Sequence, residues 1–386
     1  MERKSYINRI NKAFSVLPVV AILGPRQAGK STLARQWVAD HAPTDEIHYF
    51  DLEDDTDLER LRSPQLTLDP LRGTVVIDEI QRVPDLFARL RVLADRQKGV
   101  TRYLMLGSAS RDLIRQSSET LAGRIAYIEL TPFTLQETGA AALRTLWLRG
   151  GFPLSFLAGA DDESLLWRKS YIKSYLERDI PSLGIRIPAE SLRRFWMMLT
   201  HVHGQMFNAA DIGRSMGMDG HTMRRYLDIL SGTFMIRPLQ PWFENIGKRQ
   251  IKSPKMYFRD SGIFHALLGL ATHDDLLHHP KMGASWEGFA LEEIIRLHNA
   301  EAEDVYFWGT HNQAELDLLI LKDGRRIGYE IKYTSTPRIT RSLRIAQKDL
   351  RLDIVRVVFP GQKRFPIGEA IEAVGLETLL DDQDPS

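Results

Sequence analysis

Gly24-Pro25-Arg26-Gln27-Ala28-Gly29-Lys30-Ser31 closes a glycine-bracketed turn on an ammonium and a hydroxyl, the G-x-x-x-x-G-K-[ST] spacing of a phosphate cradle. Backbone N–H groups of such a loop, and of the helix after it, converge on a β-phosphate. Lys30 adds a full positive charge against the β and γ oxygens. Ser31 offers its hydroxyl to Mg²⁺, and Gly29 lets the backbone approach the anion closely. The contacts to ATP are therefore assigned to Gly24, Pro25, Arg26, Gln27, Ala28, Gly29, Lys30, Ser31 and Thr32, with ATP and Mg²⁺ as the cofactors. Downstream, Val75-Val76-Ile77-Asp78-Glu79 is an apolar run that ends in two carboxylates. Asp78 is placed to hold Mg²⁺ through water, and Glu79 to orient and deprotonate the attacking water. Ser108, in Gly107-Ser108-Ala109-Ser110, is a candidate sensor of the γ-phosphate, although Gly and Ser suit a plain turn equally well.

A second set of charged residues lies toward the C-terminus. Glu315 to Lys322 and Arg325 to Tyr333 flank Asp323-Gly324, a strong hairpin signal. A two-residue loop pairs Lys322 with Arg325, and counting back along the ladder pairs Asp317 with Glu330. In that register Glu315, Asp317, Glu330 and Lys332 share one face. Carboxylates directly opposed at about 5 Å repel unless something positive lies between them. Lys332 partly answers this and a divalent cation would answer it better, so Asp317 and Glu330 are candidate metal ligands beside Lys332. Glu287 or Glu292 is available to complete the acidic set, while an ordinary solvated strand face would present the same residue types. His273, His278 and His279, with Asp274 and Asp275, have neither helical nor zinc spacing and read as a polar linker.

These groups need elements to position them. Val19 to Leu23, Thr74 to Ile77 and Tyr103 to Leu106 read as buried parallel strands of an α/β sheet, with helix from Thr32 to Val38. From about Trp147 to His279 the pattern is mostly helical, with one β excursion near Thr233 to Phe258. From Ala284 onward it runs helix, three strands, helix, strand. We read domains at 1–145, 146–280 and 281–386. In the middle segment, Phe207 to Gly217 and His221 to Ser231 form two helices about a turn at Met218-Asp219-Gly220, a helix-turn-helix pattern. The β excursion resembles the wing of a winged helix. Arg224 and Arg225 lie off the apolar stripe of Met223, Tyr226, Leu227 and Leu230, while Lys248, Arg249, Lys252 and Lys255 gather in the wing. Arg224, Arg225, Lys248 and Arg249 are candidate phosphate and groove contacts to DNA, although winged helices also dock proteins. Globally, 51 Lys+Arg against 50 Asp+Glu leave the charge near zero, so any electrostatic footprint is local. The absence of cysteine excludes disulfides, thiol nucleophiles and thiolate-zinc sites. No secretion-type apolar stretch follows Met1, and no run approaches the roughly 18 apolar residues of a membrane span. A soluble, cytoplasmic protein with no membrane partner is expected.

Several motifs occur in a fixed order: Gly24 to Ser31, Ile77-Asp78-Glu79-Ile80-Gln81, Gly107-Ser108, Leu121-Ala122-Gly123-Arg124 and Leu130-Thr131-Pro132-Phe133. Gly150-Gly151-Phe152-Pro153, Arg178-Asp179-Ile180, Ser253 to Gly262 and Trp286-Glu287-Gly288-Phe289 follow. Together they resemble the prokaryotic AAA-type ATPases with a long C-terminal domain of unknown function, over nearly the whole chain. Leu106 departs from that pattern, where Thr is expected, and leaves Ser108 as the sensor candidate. The resemblance implies an ATPase acting as an oligomer, with an arginine reaching the neighbour's γ-phosphate. Arg124 is the first candidate and Arg178 the second, and such a residue contributes on the order of 10³- to 10⁵-fold in rate. The D…E-x-K arrangement of Asp317, Glu330 and Lys332 resembles the restriction-endonuclease-like PD-(D/E)XK fold, in which the carboxylates bind Mg²⁺ and the lysine positions water. The expected architecture is thus α/β, with an AAA-type P-loop NTPase domain, a mostly helical winged-helix middle domain and an α/β restriction-endonuclease-like C-terminal domain. The leading expectation is a Mg²⁺-dependent ATPase coupling hydrolysis to remodelling of, or translocation on, DNA. The alternatives are a nucleotide-driven switch that docks a protein partner, and an ATP-gated metal-dependent nuclease.

Overall fold

The computed structural model describes all residues except 42–45, 84, 97–98, 109–120, 246, 248–249, 312–313 and 381–386. The chain divides into two units, Met1–Pro132 with Gly232–Phe234, and Phe133–Ser231 with Met235–Ser386.

In the first unit, helix α1 (Lys4–Phe14) leads into β1 (Val19–Leu23), and α2 (Lys30–His41) follows the glycine-rich turn. Then come β2 (Ile47–Asp51), β3 (Gly73–Asp78), β4 (Thr101–Gly107) and β5 (Ile125–Glu129). All pair in parallel in the order β2-β3-β4-β1-β5. The apolar runs are continuous because the central strands are covered on both faces. Val19, Ala21, Val75, Ile77, Tyr103 and Met105 enter one apolar layer, and Val20, Ile22, Val76, Leu104 and Leu106 the other. Leu106 is fully buried in that second layer, so this position carries no hydroxyl toward the strand ends. Strands β2 and β5, which the sequence reading did not single out, form the two edges and bury only one residue each. Because β4 inserts between β1 and β3, the carboxyl ends of these strands, Leu23, Gly107 and Asp78, lie in a row. That is where open parallel sheets bind ligands.

In the second unit, α3 (Ala189–His201) and β6 (Gln205–Met206) precede α4 (Ala209–Met216) and α5 (Gly220–Gly232), followed by β7 (Ile236–Pro241) and β8 (Lys255–Phe258). The Asn208 side chain caps α4 by accepting from the Ala210 and Asp211 N–H groups, and Gly217 ends it in the left-handed conformation. A Cβ at Gly213 would lie 2.6 Å from the Met218 carbonyl oxygen, so only glycine lets this turn fold back onto its helix. Met223, Tyr226, Leu227 and Leu230 of α5 are buried in the same core as Phe195 and Phe207, as their helical spacing predicts.

The chain continues through α6 (Met282–His298), β9 (Val305–Gly309), β10 (Glu315–Lys322), β11 (Arg325–Ile331), α7 (Arg341–Leu350), β12 (Ile354–Phe359), β13 (Arg364–Gly368) and β14 (Ile371–Gly375). The β10–β11 hairpin has the expected register, Lys322 opposite Arg325 and Leu318 opposite Tyr329. Pairing of Gln240 with Tyr306 and Pro241 with Phe307 joins β7 to β9. Segments 146–280 and 281–386 therefore share one sheet, ordered β13-β14-β12-β11-β10-β9-β7-β8-β6. The polar stretch read as a linker is partly a short helix, His273–His278. Thr272 and Asp275 cap its N-terminus reciprocally, a local bonding gain that overrules the polar composition. Among the described residues no helix is long and apolar enough to cross a membrane.

Candidate nucleotide and carboxylate sites

The loop between β1 and α2 is shaped by close approach. A Cβ on Gly24 would fall 2.2 Å from the Leu130 carbonyl oxygen, and Gly29 has φ 97°, a conformation that only glycine adopts without strain. Gln27 also takes a positive φ and is exposed, whereas Pro25 and Ala28 are buried. The Lys30 ammonium is turned inside the loop, donating to the carbonyl oxygens of Gly24 and Pro25 at 3.1 Å each. Thr32 lies exposed on the first turn of α2. Arg26, half-buried at the loop's mouth, forms an ion pair with Glu53 beyond β2. The buried Arg3 had no signal in the sequence. Its guanidinium donates to the carbonyl oxygens of Thr131 (2.8 Å) and Ala28 (3.4 Å), tying the loop to the end of the sheet.

Opposite the loop, buried Asp78 gathers three donors. Its Oδ2 accepts from the Ser31 hydroxyl at 2.6 Å and the Tyr49 hydroxyl at 2.9 Å, and its Oδ1 from the Glu79 N–H at 2.9 Å. A hydroxyl and a carboxylate held together in this way are the hard oxygen donors that Mg²⁺ takes, so the residues fit that ion. Tyr49 was missed from sequence. Burial first, and then the neighbouring Asp78 charge, push its ionisation well above the usual phenol range, which keeps its proton available for donation. Glu79 sits in the left-handed region at φ 55° and accepts from the Gln81 amide. Ser108 lies between the two ends of the site. Its Oγ accepts from Lys30 Nζ at 3.5 Å and donates to Glu79 Oε2 at 3.4 Å. Of its sequence neighbours, Ala109 and Ser110 lie outside the described residues. Arg124 makes a two-pronged ion pair with Asp95, at 2.6 and 3.0 Å, on the outside of the same unit. Arg178 is mostly exposed, 3.4 Å from Asp179, on a π turn.

The second unit assembles the other constellation. Asp317 is buried, accepts from the Ile331 N–H at 2.8 Å and lies 4.0 Å from Lys332 Nζ. Lys332 Nζ is 3.0 Å from Glu330. Of the two acids offered by α6, Glu287 joins this group, accepting from the Tyr257 hydroxyl at 2.6 Å. Burial, and then the Asp317 charge, push Glu287 and Glu330 up to about 7. Glu292 is held elsewhere, by Arg237, Arg259 and Arg296, and must be removed from the set. Burial raises its proton affinity, but the three guanidiniums outweigh this and bring the carboxyl down to about 2. Lys255 also needs correction. Its sequence groups it with the basic residues of the wing, yet it is buried on β8, with Nζ paired to Glu315 and 3.7 and 3.9 Å from Glu287 and Asp317. Among the described residues no group of three or more His, Cys, Asp or Glu side chains is disposed to hold a metal ion. Arg224 and Arg225 are exposed on α5, and so is Lys252 before β8, while Lys248 and Arg249 lie outside the described residues.

An AAA domain family matches residues 17–139, a domain of unknown function (DUF8612) residues 140–274, and another (DUF4143) residues 282–379. The uncharacterized protein Rv2008c of Mycobacterium tuberculosis (strain ATCC 25618 / H37Rv) is 48% identical over 380 residues, 98% of this chain and 85% of its own. The uncharacterized protein Mb2031c of Mycobacterium bovis matches to the same extent. The chain belongs to their family. Among solved structures, the Walker-type ATPase PABY2304 of Pyrococcus abyssi is similar at TM-score 0.50 and 15% identity, covering 69% of this chain and 95% of that one. At that identity the likeness concerns the fold. The chain's first unit thus carries an AAA domain of P-loop fold, with the glycine-rich loop between β1 and α2.

Proposed function

We propose that the protein is a Mg²⁺-dependent ATP hydrolase that works as a homo-oligomer and couples turnover to action on DNA. The observation that carries the hydrolase reading is the 2.6 Å bond from Ser31 to Asp78, formed across the sheet's carboxyl edge from a loop that also holds Lys30. Residues Gly24 to Thr32 would cradle the β-phosphate with backbone N–H groups, and Lys30 would meet the γ oxygens. Ser31 and Asp78 would hold Mg²⁺, which supplies neutralisation of the charge that develops on the phosphate oxygens. Glu79 orients and deprotonates water, and Ser108 links that carboxylate to Lys30.

The DNA half of the proposal is supported by the order of elements. Helix, short strand, helix, glycine turn, helix and a two-stranded hairpin follow one another from α3 to β8, the sequence of a winged helix. The exposure of Arg224 and Arg225 on its last helix supports a phosphate-contacting role for them. The test is ATP turnover of the purified chain with and without single-stranded, duplex and branched DNA. Stimulation that disappears in Arg224→Ala/Arg225→Ala is the expected result. Turnover equal with every nucleic acid would leave a hydrolase and remove the DNA partner.

A further inference from the structure

The carboxylate group on β10, β11 and α6 resembles a cleavage centre that takes a divalent ion, and the placement of Lys255 argues against that occupant. Lys255 belongs to β8, which is paired on both sides: its backbone lies opposite Leu239 of β7 and Met206 of β6. The strand cannot swing away without breaking two ladders. The side chain is 6% exposed, and its ammonium packs 5.6 Å from the centre of the Phe307 ring. From there Nζ reaches Glu315, Glu287 and Asp317, that is, carboxylates of two different elements. Lys332 closes the other side, between Glu330 and Asp317. Asp317 thus has an ammonium on each carboxylate edge and a backbone N–H besides. Glu287 has the Tyr257 hydroxyl as well.

An ammonium carries three donors and one charge into such a cage. A divalent ion entering the same cage would stand against that fixed charge, which water screens only from the half-exposed Glu315 and Lys332 side. The donor set therefore does not fit a metal as it stands. We propose that Lys255 is a tethered counter-cation: its ammonium fills the side of Asp317 that faces Glu287 and Glu315, as that of Lys332 fills the side facing Glu330, so that this centre is a metal-free ionic joint between the β7–β8 hairpin and the C-terminal strands and does not cleave phosphodiester bonds. Removing the ammonium while keeping the carboxylates opens the place it fills.

The experiment is a titration of the nucleotide-free full-length chain with Mn²⁺, following free Mn²⁺ by electron paramagnetic resonance, beside nicking of supercoiled plasmid in Mn²⁺. Wild type should show no Mn²⁺ site that Asp317→Ala removes, and no nicking that depends on Asp317. Lys255→Ala, or Lys255→Gln if the alanine variant melts early, should gain one Mn²⁺ per chain at least tenfold tighter than any wild-type binding. Lys255→Ala/Asp317→Ala should lose that gain. A wild-type Mn²⁺ site abolished by Asp317→Ala overturns the proposal, and so does a folded Lys255 variant with no gain. Should neither Lys255 variant fold, the wild-type titration decides alone.

Discussion

Tyr49 and Ser31 both donate to one oxygen of Asp78 while the Glu79 N–H holds the other, so the carboxylate has no free rotation left. If Asp78 takes up Mg²⁺ as proposed, a carboxylate fixed in this way loses less entropy on binding the ion. Tyr49→Phe deletes one of three bonds without changing the ring's packing, and a net hydrogen bond to a charged group is worth about 1.5–3 kcal/mol. The expected result is a roughly tenfold or larger rise in the Mg²⁺ concentration for half-maximal turnover, by the rule of about 1.4 kcal/mol per tenfold. Steady-state ATP kinetics across a magnesium series measures it, and an unchanged Mg²⁺ midpoint would remove Tyr49 from the role. Glu79→Gln should still bind ATP by calorimetry but turn over about 10²- to 10⁴-fold more slowly, the usual worth of a general base. Retention of full turnover would mean that another group activates the water. These two residues also mark what a sequence discloses. Lys30, Ser31, Asp78 and Glu79 are legible because their chemistry depends on contiguous residues after an apolar strand. Tyr49 is 29 positions from Asp78, and Arg3 is 128 from Thr131. Nothing local announces partners that only the sheet order brings together.

Helix α6 shows how one element sorts carboxylates that look alike in sequence. Glu287 faces Tyr257 and Lys255, Glu293 accepts from the Leu135 N–H at 2.7 Å, and Glu292 is enclosed by Arg237, Arg259 and Arg296. From sequence, Glu287 and Glu292 were interchangeable as additions to the acidic set, because apart from Arg296 the groups that separate them lie off the helix, on β7, on β8 and just after it. Lys255 was misplaced for the same reason: a basic run suggested a solvated wing, whereas pairing on both edges of β8 buries it. The edge strand β13 was not legible either, since it carries Pro366 and Gly368 and is largely exposed, without the alternation that marks a strand. The Glu292 environment has a pH signature. Its folded carboxyl lies at about 2, below the unfolded 4.5, so the stability it contributes is present above pH 4.5 and is lost as pH falls toward 2. Taking the buried Glu292 carboxylate from the partly buried Arg237, Arg259 and Arg296, of which Arg296 keeps Glu293, should cost up to about 3–5 kcal/mol near neutrality. Urea unfolding of wild type and Glu292→Gln across pH should therefore show a gap that is widest above pH 5 and closes as the medium approaches pH 2. A gap independent of pH would mean that Glu292 contributes packing and not charge.

At the scale of the whole molecule, the proposed hydrolysis calls for positive charge on the γ-phosphate beyond Lys30, and Arg124, the first candidate for it, is engaged with Asp95 on the outside of its own unit. An exposed arginine held by a single carboxylate in a two-pronged pair is preorganised, planar and exchangeable, which suits a group handed to another subunit's phosphate. If Arg124 acts in trans, its loss and the loss of Lys30 fall on different partners of the same interface. Arg124→Ala alone should reduce turnover by about 10³-fold or more while nucleotide affinity stays close to wild type. Lys30→Ala alone should abolish binding. Mixed in equal amounts under conditions where both are shown to share one assembly, the two inactive variants should recover a measurable part of wild-type turnover, because a Lys30→Ala neighbour still supplies Arg124 to an intact phosphate loop. Recovery should saturate with excess Lys30→Ala chain and disappear when that chain also carries Arg124→Ala. Co-assembly without recovered turnover would exclude Arg124 as the arginine supplied between subunits, and the same mixing scheme applied to exposed Arg178 would then be the discriminating measurement.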